Sequence, residues 1–252
     1  MNLAAGFADV SLWQLAAVAI VALVANIVGG IAGYGTGALM PLVLVPLIGA
    51  GPVVPIIAIS AMFTNSSRVA AFRRYADWRR AGIALAAAIP TCALGAWGYT
   101  KLTNDGAAIV IGGMLILSVP LRRLLKHHGV RLGDGGFAAG AAGYGVLVGG
   151  TAGSGVVMLS LLMAAGLEGA AVVATDAVIS IAIGVVKISV FGFAGVLTPQ
   201  VIAFALLIGI SALPGPFLAR AFVERMPVHF HTAILDAVVL FGGLFLVVGA
   251  LL

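Results

Sequence analysis

The chain has 252 residues, of which 62% are hydrophobic and only 8% charged, with a formal net charge of +5. Soluble domains carry about 25% charged residues, so lipid must cover most of this surface, and the length leaves no room for a soluble module. The single cysteine, Cys92, excludes an internal disulfide and a multi-cysteine metal site, and in its apolar run it reads as a packing residue.

In chain order, Met1–Gln14 carries Asp9 but no Lys or Arg, so it lacks the basic region of a signal peptide and is expected to be retained. Apolar runs then follow at 12–50, 52–72, 80–101, 106–121, 137–167, 169–192, 199–222 and 232–252. Each crossing needs roughly 20 apolar residues. Basic residues collect between runs: Arg68, Arg73, Arg74, Arg79 and Arg80; then Arg122, Arg123, Lys126 and Arg131; then Arg220 and Arg225. Cytoplasmic loops of membrane proteins are enriched in Lys and Arg. The clusters therefore set topology, and nucleic acid is excluded as a partner.

With those loops cytoplasmic, 80–101 runs outward and 106–121 returns. The run 137–167 must then begin and end on the cytoplasmic side, which one helix cannot do. Its length is too short for two full crossings, so it reads as a hairpin of short or re-entrant segments with its turn near Gly149-Gly150. The same logic makes 12–50 a hairpin that begins and ends outside. Each half is a hairpin plus three helices, an odd count, so the second copy is inverted. The expected fold is all-α: one polytopic membrane domain over 1–252, with repeats at 12–122 and 137–252 joined by a cytoplasmic linker at 123–136 and both termini outside the cytoplasm.

The sequence carries an echo of that repeat. Gly29-Gly30-Ile31-Ala32-Gly33-Tyr34-Gly35 returns as Gly149-Gly150-Thr151-Ala152-Gly153-Ser154-Gly155, five of seven positions identical at a spacing of 120. Paired Gly-interrupted segments in two halves mark the substrate site of secondary transporters. Two readings of the glycines stay open. They permit close helix packing or a hairpin turn, or they free backbone N–H groups inside the membrane, where a helix N-terminus suits an anion. Thr36, Thr151 and Ser154 would add hydroxyl donors, and Tyr34 another unless it only packs.

The helix after each break carries polar residues on one face. Asp176, Ser180, Gly184 and Lys187 fall at i, i+4, i+8 and i+11. Eleven residues rise about 16 Å, so Asp176 and Lys187 cannot pair with each other. Charges at membrane depth point to function, although Lys187 lies close enough to the outer end to snorkel. In the first half Ser60, Thr64 and Arg68 repeat the spacing, with Asn65 beside them in need of a hydrogen-bond partner. Arg68 is either an anion-facing cation or the first residue of the cytoplasmic cluster. Asn26 is placed to brace the first break, and Pro214-Gly215-Pro216 to bend its helix. His127, His128, His229 and His231 read as solvated loop residues. No metal-ligand spacing and no Ser–His or paired-carboxylate arrangement occurs, so neither a cofactor nor an enzyme activity is expected.

With these motifs in hand, the chain resembles the sulfite exporter TauE/SafE family over nearly its whole length. The resemblance rests on Gly29–Gly37, on Thr64-Asn65, Arg68 and Phe72-Arg73 before Asp77-Trp78, on Gly149–Gly155, and on Thr175-Asp176 followed by Lys187. It implies a permease of the inner membrane that moves sulfite, a sulfonate or a related small organic anion by alternating access. The expected substrate-binding residues are Gly33, Tyr34, Gly35, Thr36, Thr64, Asn65, Arg68, Thr151, Gly153, Ser154, Gly155, Ser180 and Lys187. Asp176 is the expected coupling residue, because leaving water disfavours the charged form of a carboxyl. The expected partners are the anion, the lipid bilayer and a coupling proton or sodium ion. Homo-oligomerisation stays open, as do a passive anion channel and a membrane subunit of a larger complex.

Overall fold

The structure, a computed structural model, describes residues 6–8, 10–32, 36–127, 131–215, 218 and 228–251, with the side chains of 28–32, 71, 121–127 and 228–237 outside that description. Its regular elements are helical: α1 Leu12–Ala32, α2 Thr36–Ile48, α3 Val53–Phe72, α4 Trp78–Tyr99, α5 Asn104–His127, α6 Asp134–Gly150, α7 Gly155–Ala164, α8 Ala170–Phe193, α9 Pro199–Ala212 and α10 Val228–Leu251. The fold is that of a polytopic membrane protein. Among the described residues α3, α4 and α8 are long and apolar enough to cross a membrane. Large apolar side chains point outward, Phe193 at 94% exposure and Trp13 at 86%. Such side chains cost nothing against lipid, whereas in water they would be a liability.

The two runs read as hairpins are interrupted helices. α2 has 13 residues and α7 has 10, about 20 Å and 15 Å of helix against a hydrocarbon core of about 30 Å. Neither spans it. Some boundaries depart from the hydropathy pattern. α9 stops at Ala212 and gives way to a turn at Leu213-Pro214, where the proline has no N–H to continue the ladder. Beyond that turn Gly215 and Leu218 are helical again, with Leu218 N–H donating to Pro214 O at 3.0 Å, so the proline breaks the run where a bend was expected; Pro216 lies outside the described residues. α5 runs on to His127, so residues 123–127 belong to a helix and not to a loose linker. Apolarity marks where lipid ends, while Arg and Lys are good helix formers that carry the helix beyond it.

Capping fixes several starts. Asp77 accepts from the Arg80 backbone N–H at 2.9 Å at the head of α4. Thr198 accepts from Val201 N–H ahead of Pro199 at the first turn of α9. Contacts between loops then sort them into two ends. At one end Asp134, in the first turn of α6, takes Arg79 and Arg80 from the head of α4, the latter at 2.7 Å. Leu132 N–H donates to the Ala164 carbonyl at 2.7 Å, so α6 starts and α7 finishes at this same end. At the opposite end Tyr99, closing α4, donates its hydroxyl to the Ala50 carbonyl at 2.6 Å. Asn104 Oδ1 accepts from Ala50 and Gly51 N–H, and the Tyr99 ring meets Phe191. The α2–α3 turn, the α4–α5 turn and the close of α8 therefore lie together, and Phe7 reaches the head of α9 through Phe204.

Packing between helices follows a reciprocal pattern. α4 lies along α6 and α9 along α1; α4 also packs on α8 and α9 on α3; α5 meets α7 and α10 meets α2; α3 pairs with α8 and α5 with α10. The α4–α6 seam is the tightest, and glycine makes it so. A Cβ at Gly149 would strike the Cys92 carbonyl oxygen and come within 2.8 Å of Ala96 N, and one at Gly145 would strike Ala88 and Thr91. Across from them, Gly95 faces the Val146 carbonyl. Small residues bring the backbones together where no hydrophobic force drives helices to associate.

Gly149→Ala and Gly145→Ala are expected to destabilise the protein by about 1–3 kcal/mol through overpacking. Gly143→Ala, whose methyl would meet open space, should be neutral or slightly stabilising. Thermal unfolding of the three purified variants in one detergent checks this, and equal melting temperatures would contradict the seam.

Candidate functional site

A helix that stops inside a membrane leaves its last carbonyls and its first amides without partners. Between α6 and α7 the chain turns extended at Thr151 (φ −138°, ψ 179°) and reverses through Gly153, whose φ of +83° favours glycine. Two side chains serve the stranded carbonyls of α6. Thr151 Oγ1 donates to Leu147 O at 2.7 Å. Lys187 Nζ, arriving from α8, donates to Val148 O at 2.6 Å and to Thr151 O at 3.4 Å. A cation at a helix C-terminus also meets the negative end of the helix dipole. Lys187 is buried at 5% exposure and does not snorkel to the surface. The Thr151 hydroxyl proton, expected to be offered to a ligand, is committed to the backbone.

The opening of α7 is less occupied. Ser154 stands at its N-cap without a side-chain capping bond. The start of α2 closes on this turn: a Cβ at Gly37 would come within 3.2 Å of Gly153 N. The two glycine-interrupted segments thus meet backbone to backbone.

A cavity of about 150 Å³ lies beside that meeting point. Ile57, Ala58, Ala61, Thr64, Asn65 and Arg68 of α3 face it, opposite Asp176, Ser180, Ile183, Gly184 and Lys187 of α8. The 151–155 turn, Thr36, Gly37, Asn26, Tyr144 and Val148 complete the lining. Of the residues expected from sequence, Thr36, Thr64, Asn65, Arg68, Thr151, Gly153, Ser154, Gly155, Asp176, Ser180 and Lys187 border this one space. Gly33, Tyr34 and Gly35 lie outside the described residues.

The two acidic and basic groups on the expected face of α8 turn to different neighbours, as their separation requires. Asp176 Oδ2 lies 3.9 Å from Arg68 Nη1, with side chains 5% and 13% exposed. The distance is an ion pair but too long for a hydrogen bond. Asp176 Oδ1 is buried and finds no hydrogen-bond partner among the described residues. Arg68 therefore belongs to the cavity, whereas Arg73 and Arg74 are exposed in the 3₁₀ turn Arg73–Tyr75 that follows α3. Thr175 anchors the neighbouring turn by accepting from Asp77 N–H at 3.0 Å.

Two lining residues carry roles that the sequence did not show. Tyr144, buried on α6, lines the cavity; a lone tyrosine in a glycine-rich run offers no spacing that singles it out. Asn26 donates to the Ala212 carbonyl at 2.5 Å, closing the C-terminus of α9 against α1, and so braces a helix end as well as lining the cavity. Among the described residues no cluster of His, Cys, Asp and Glu is arranged to hold a metal.

A helical membrane bundle with a small polar cavity, walled by two interrupted helices and holding both signs of charge, is the architecture of a solute-transporting membrane protein. The family model for the sulfite exporter TauE/SafE matches residues 18–246, and the chain belongs to that family. It is accordingly a membrane transporter of the class that handles sulfite or related anions, which fits the expectation that it is not an enzyme. No match was found among curated proteins or among solved structures.

Lys187→Ala should strand the Val148 carbonyl and lower ligand-free stability by about 1–3 kcal/mol, the cost of an unsatisfied buried polar group. Thermal unfolding without added anion reads this. A lysine that served only a ligand would leave that value unchanged.

Proposed function

We propose that the chain is a secondary transporter that moves a small anion such as sulfite, a sulfonate or a related organic anion across the inner membrane by alternating access. One observation carries the reading. Arg68, Lys187 and the glycine-interrupted starts of α2 and α7 converge on a single cavity of about 150 Å³. Fixed cations and oriented backbone amides are what an anion needs once its water is stripped away. A volume of this order has room for an oxyanion or a short organic acid.

The transporter is built, in this reading, from two inverted five-helix repeats, α1–α5 and α6–α10. The support is the reciprocal packing, which maps onto itself when the two sets are exchanged, together with the two interrupted hairpins opening at opposite ends of the bundle. The end that carries Arg73–Arg80 faces the cytoplasm because of its basic residues, and Phe7 lies toward the other end. Rocking one repeat against the other would expose the cavity to each side in turn. Asp176, the cavity's acid, is the coupling group.

Reconstituted protein should show saturable uptake of sulfite or a short sulfonate that responds to an imposed proton or sodium gradient. Arg68→Ala and Asn65→Ala should weaken it at least tenfold (about 1.4 kcal/mol). Flux without saturation would indicate a channel. Absence of flux for every such anion under either gradient would remove the proposal.

A further inference from the structure

We infer that the cavity is a two-part site: the start of α7 holds the oxygens of the anion, and the apolar stretch of α3 and α8 beside it receives a short alkyl group. The inference rests on the anion-site reading above and concerns how the anion lies in the cavity and what else it must carry.

The first part is a helix end with donors to spare. α7 begins at Gly155 and runs for 10 residues, so its first amides have no acceptors within the helix. Val157 N–H is taken by the Ser154 carbonyl at 2.9 Å. Among the described residues nothing accepts from the N–H groups of Gly155 and Val156. Ser154 is a second and separate sign. It is 2% exposed and borders the cavity, and it makes no side-chain capping bond. Among the described residues the side-chain atom sealed in protein without a partner is Asp176 Oδ1; the Ser154 hydroxyl instead opens on the cavity. One hydroxyl and two amides at the positive end of a helix suit an oxyanion group.

The apolar part adjoins it. Lys187 Nζ reaches Thr151 O, at the turn that leads into α7. About one turn back along α8 is Gly184, where a Cβ would lie 3.8 Å from the Ala58 carbonyl oxygen. α3 and α8 are therefore close at this level, and Ile57, Ala58, Ala61 and Ile183 line the cavity there. None of the four has a polar side-chain atom. Arg68 lies about 10 Å further along α3 from Ala61 and pairs with Asp176, so the charged pair sits toward the other end of the space.

A bare oxyanion at the start of α7 would leave these apolar side chains against water in a narrow enclosure. An alkyl group on the same anion displaces that water, which is worth about fourfold in affinity for each methylene buried. The two alanines leave the room for it: each side chain stops at Cβ, and the space a larger one would fill falls to the ligand. The site is therefore better filled by a short alkyl-bearing oxyanion than by the inorganic ion, with its oxygens toward α7 and its carbon chain between α3 and α8.

The test uses the full chain in lipid nanodiscs and two probes with the same head and the same single charge, methanesulfonate and ethanesulfonate. Titration calorimetry should show ethanesulfonate binding about fourfold more tightly, the effect of one buried methylene. Ala61→Val, which fills the proposed alkyl space, should lower that ratio to about one or below. Ser154→Ala should weaken both anions about tenfold, through loss of a hydrogen bond to a charged group, and keep the ratio. Equal affinities in the wild type, or a ratio that Ala61→Val leaves unchanged, overturn the alkyl site while leaving the anion site standing. Binding by Ser154→Ala as tight as the wild type overturns the placement of the oxygens. If neither anion binds the wild-type chain, the anion-site reading fails and this inference with it. Should Ser154→Ala not fold, Ser154→Gly removes the same hydroxyl at little cost to an N-cap and is read in the same way. Should Ala61→Val not fold, the wild-type ratio decides the alkyl site alone.

Discussion

Two helices that end inside a membrane impose the condition on which the rest of this molecule depends. Water is not available there to satisfy the free carbonyls and amides, so the protein must supply partners from its own side chains. Lys187 and Thr151 do so for the end of α6, and Asn26 does the same for the end of α9. The lysine in particular links three features that look separate in sequence: a glycine-rich break, a charge deep in α8, and a cavity between them. Because the lysine is fixed by the backbone, it stands at the cavity whether or not a ligand is present.

Much of this was legible in the sequence because the constraints were coarse and physical. Charged loops and segment lengths required same-side hairpins, and the structure has interrupted helices at both places. The i, i+4, i+8, i+11 spacing put Asp176, Ser180, Gly184 and Lys187 on one face of α8, and that face borders the cavity. What spacing within a helix cannot give is the identity of the neighbour across from it. Lys187 was as compatible with snorkelling as with an anion, and only the placement of α6 shows it bound to carbonyls. Tyr144 was invisible for the same reason. Apolar runs and helices differ at the basic end of α5, which continues as helix past its apolar stretch, and at Pro214, where a turn interrupts the run after α9.

The glycines show how one residue type can hold two roles. Packing and turning, the two parts of the plainer reading, fall to different glycines. Gly145 and Gly149 pack α6 on α4, as the plainer reading held, while Gly153 lets the chain turn and Gly37 admits its neighbour to that turn. The repeated motif therefore contains packing positions and turning positions side by side. A count of glycines could not separate them; the direction in which each absent side chain would point does.

The α4–α6 seam also sets a limit on what the cavity can become. Val148 and Tyr144 wall the cavity from a helix whose backbone already touches its neighbour at Gly145 and Gly149, so that wall has nowhere to retreat. On the facing side α3 presents Ala58 and Ala61, which leave little more to trim. The space is gauged by backbone: an added methyl group at Ala58 or Ala61 would narrow it, whereas on the α6 side it can widen by trimming Val148 or Tyr144 but not by a shift of the helix.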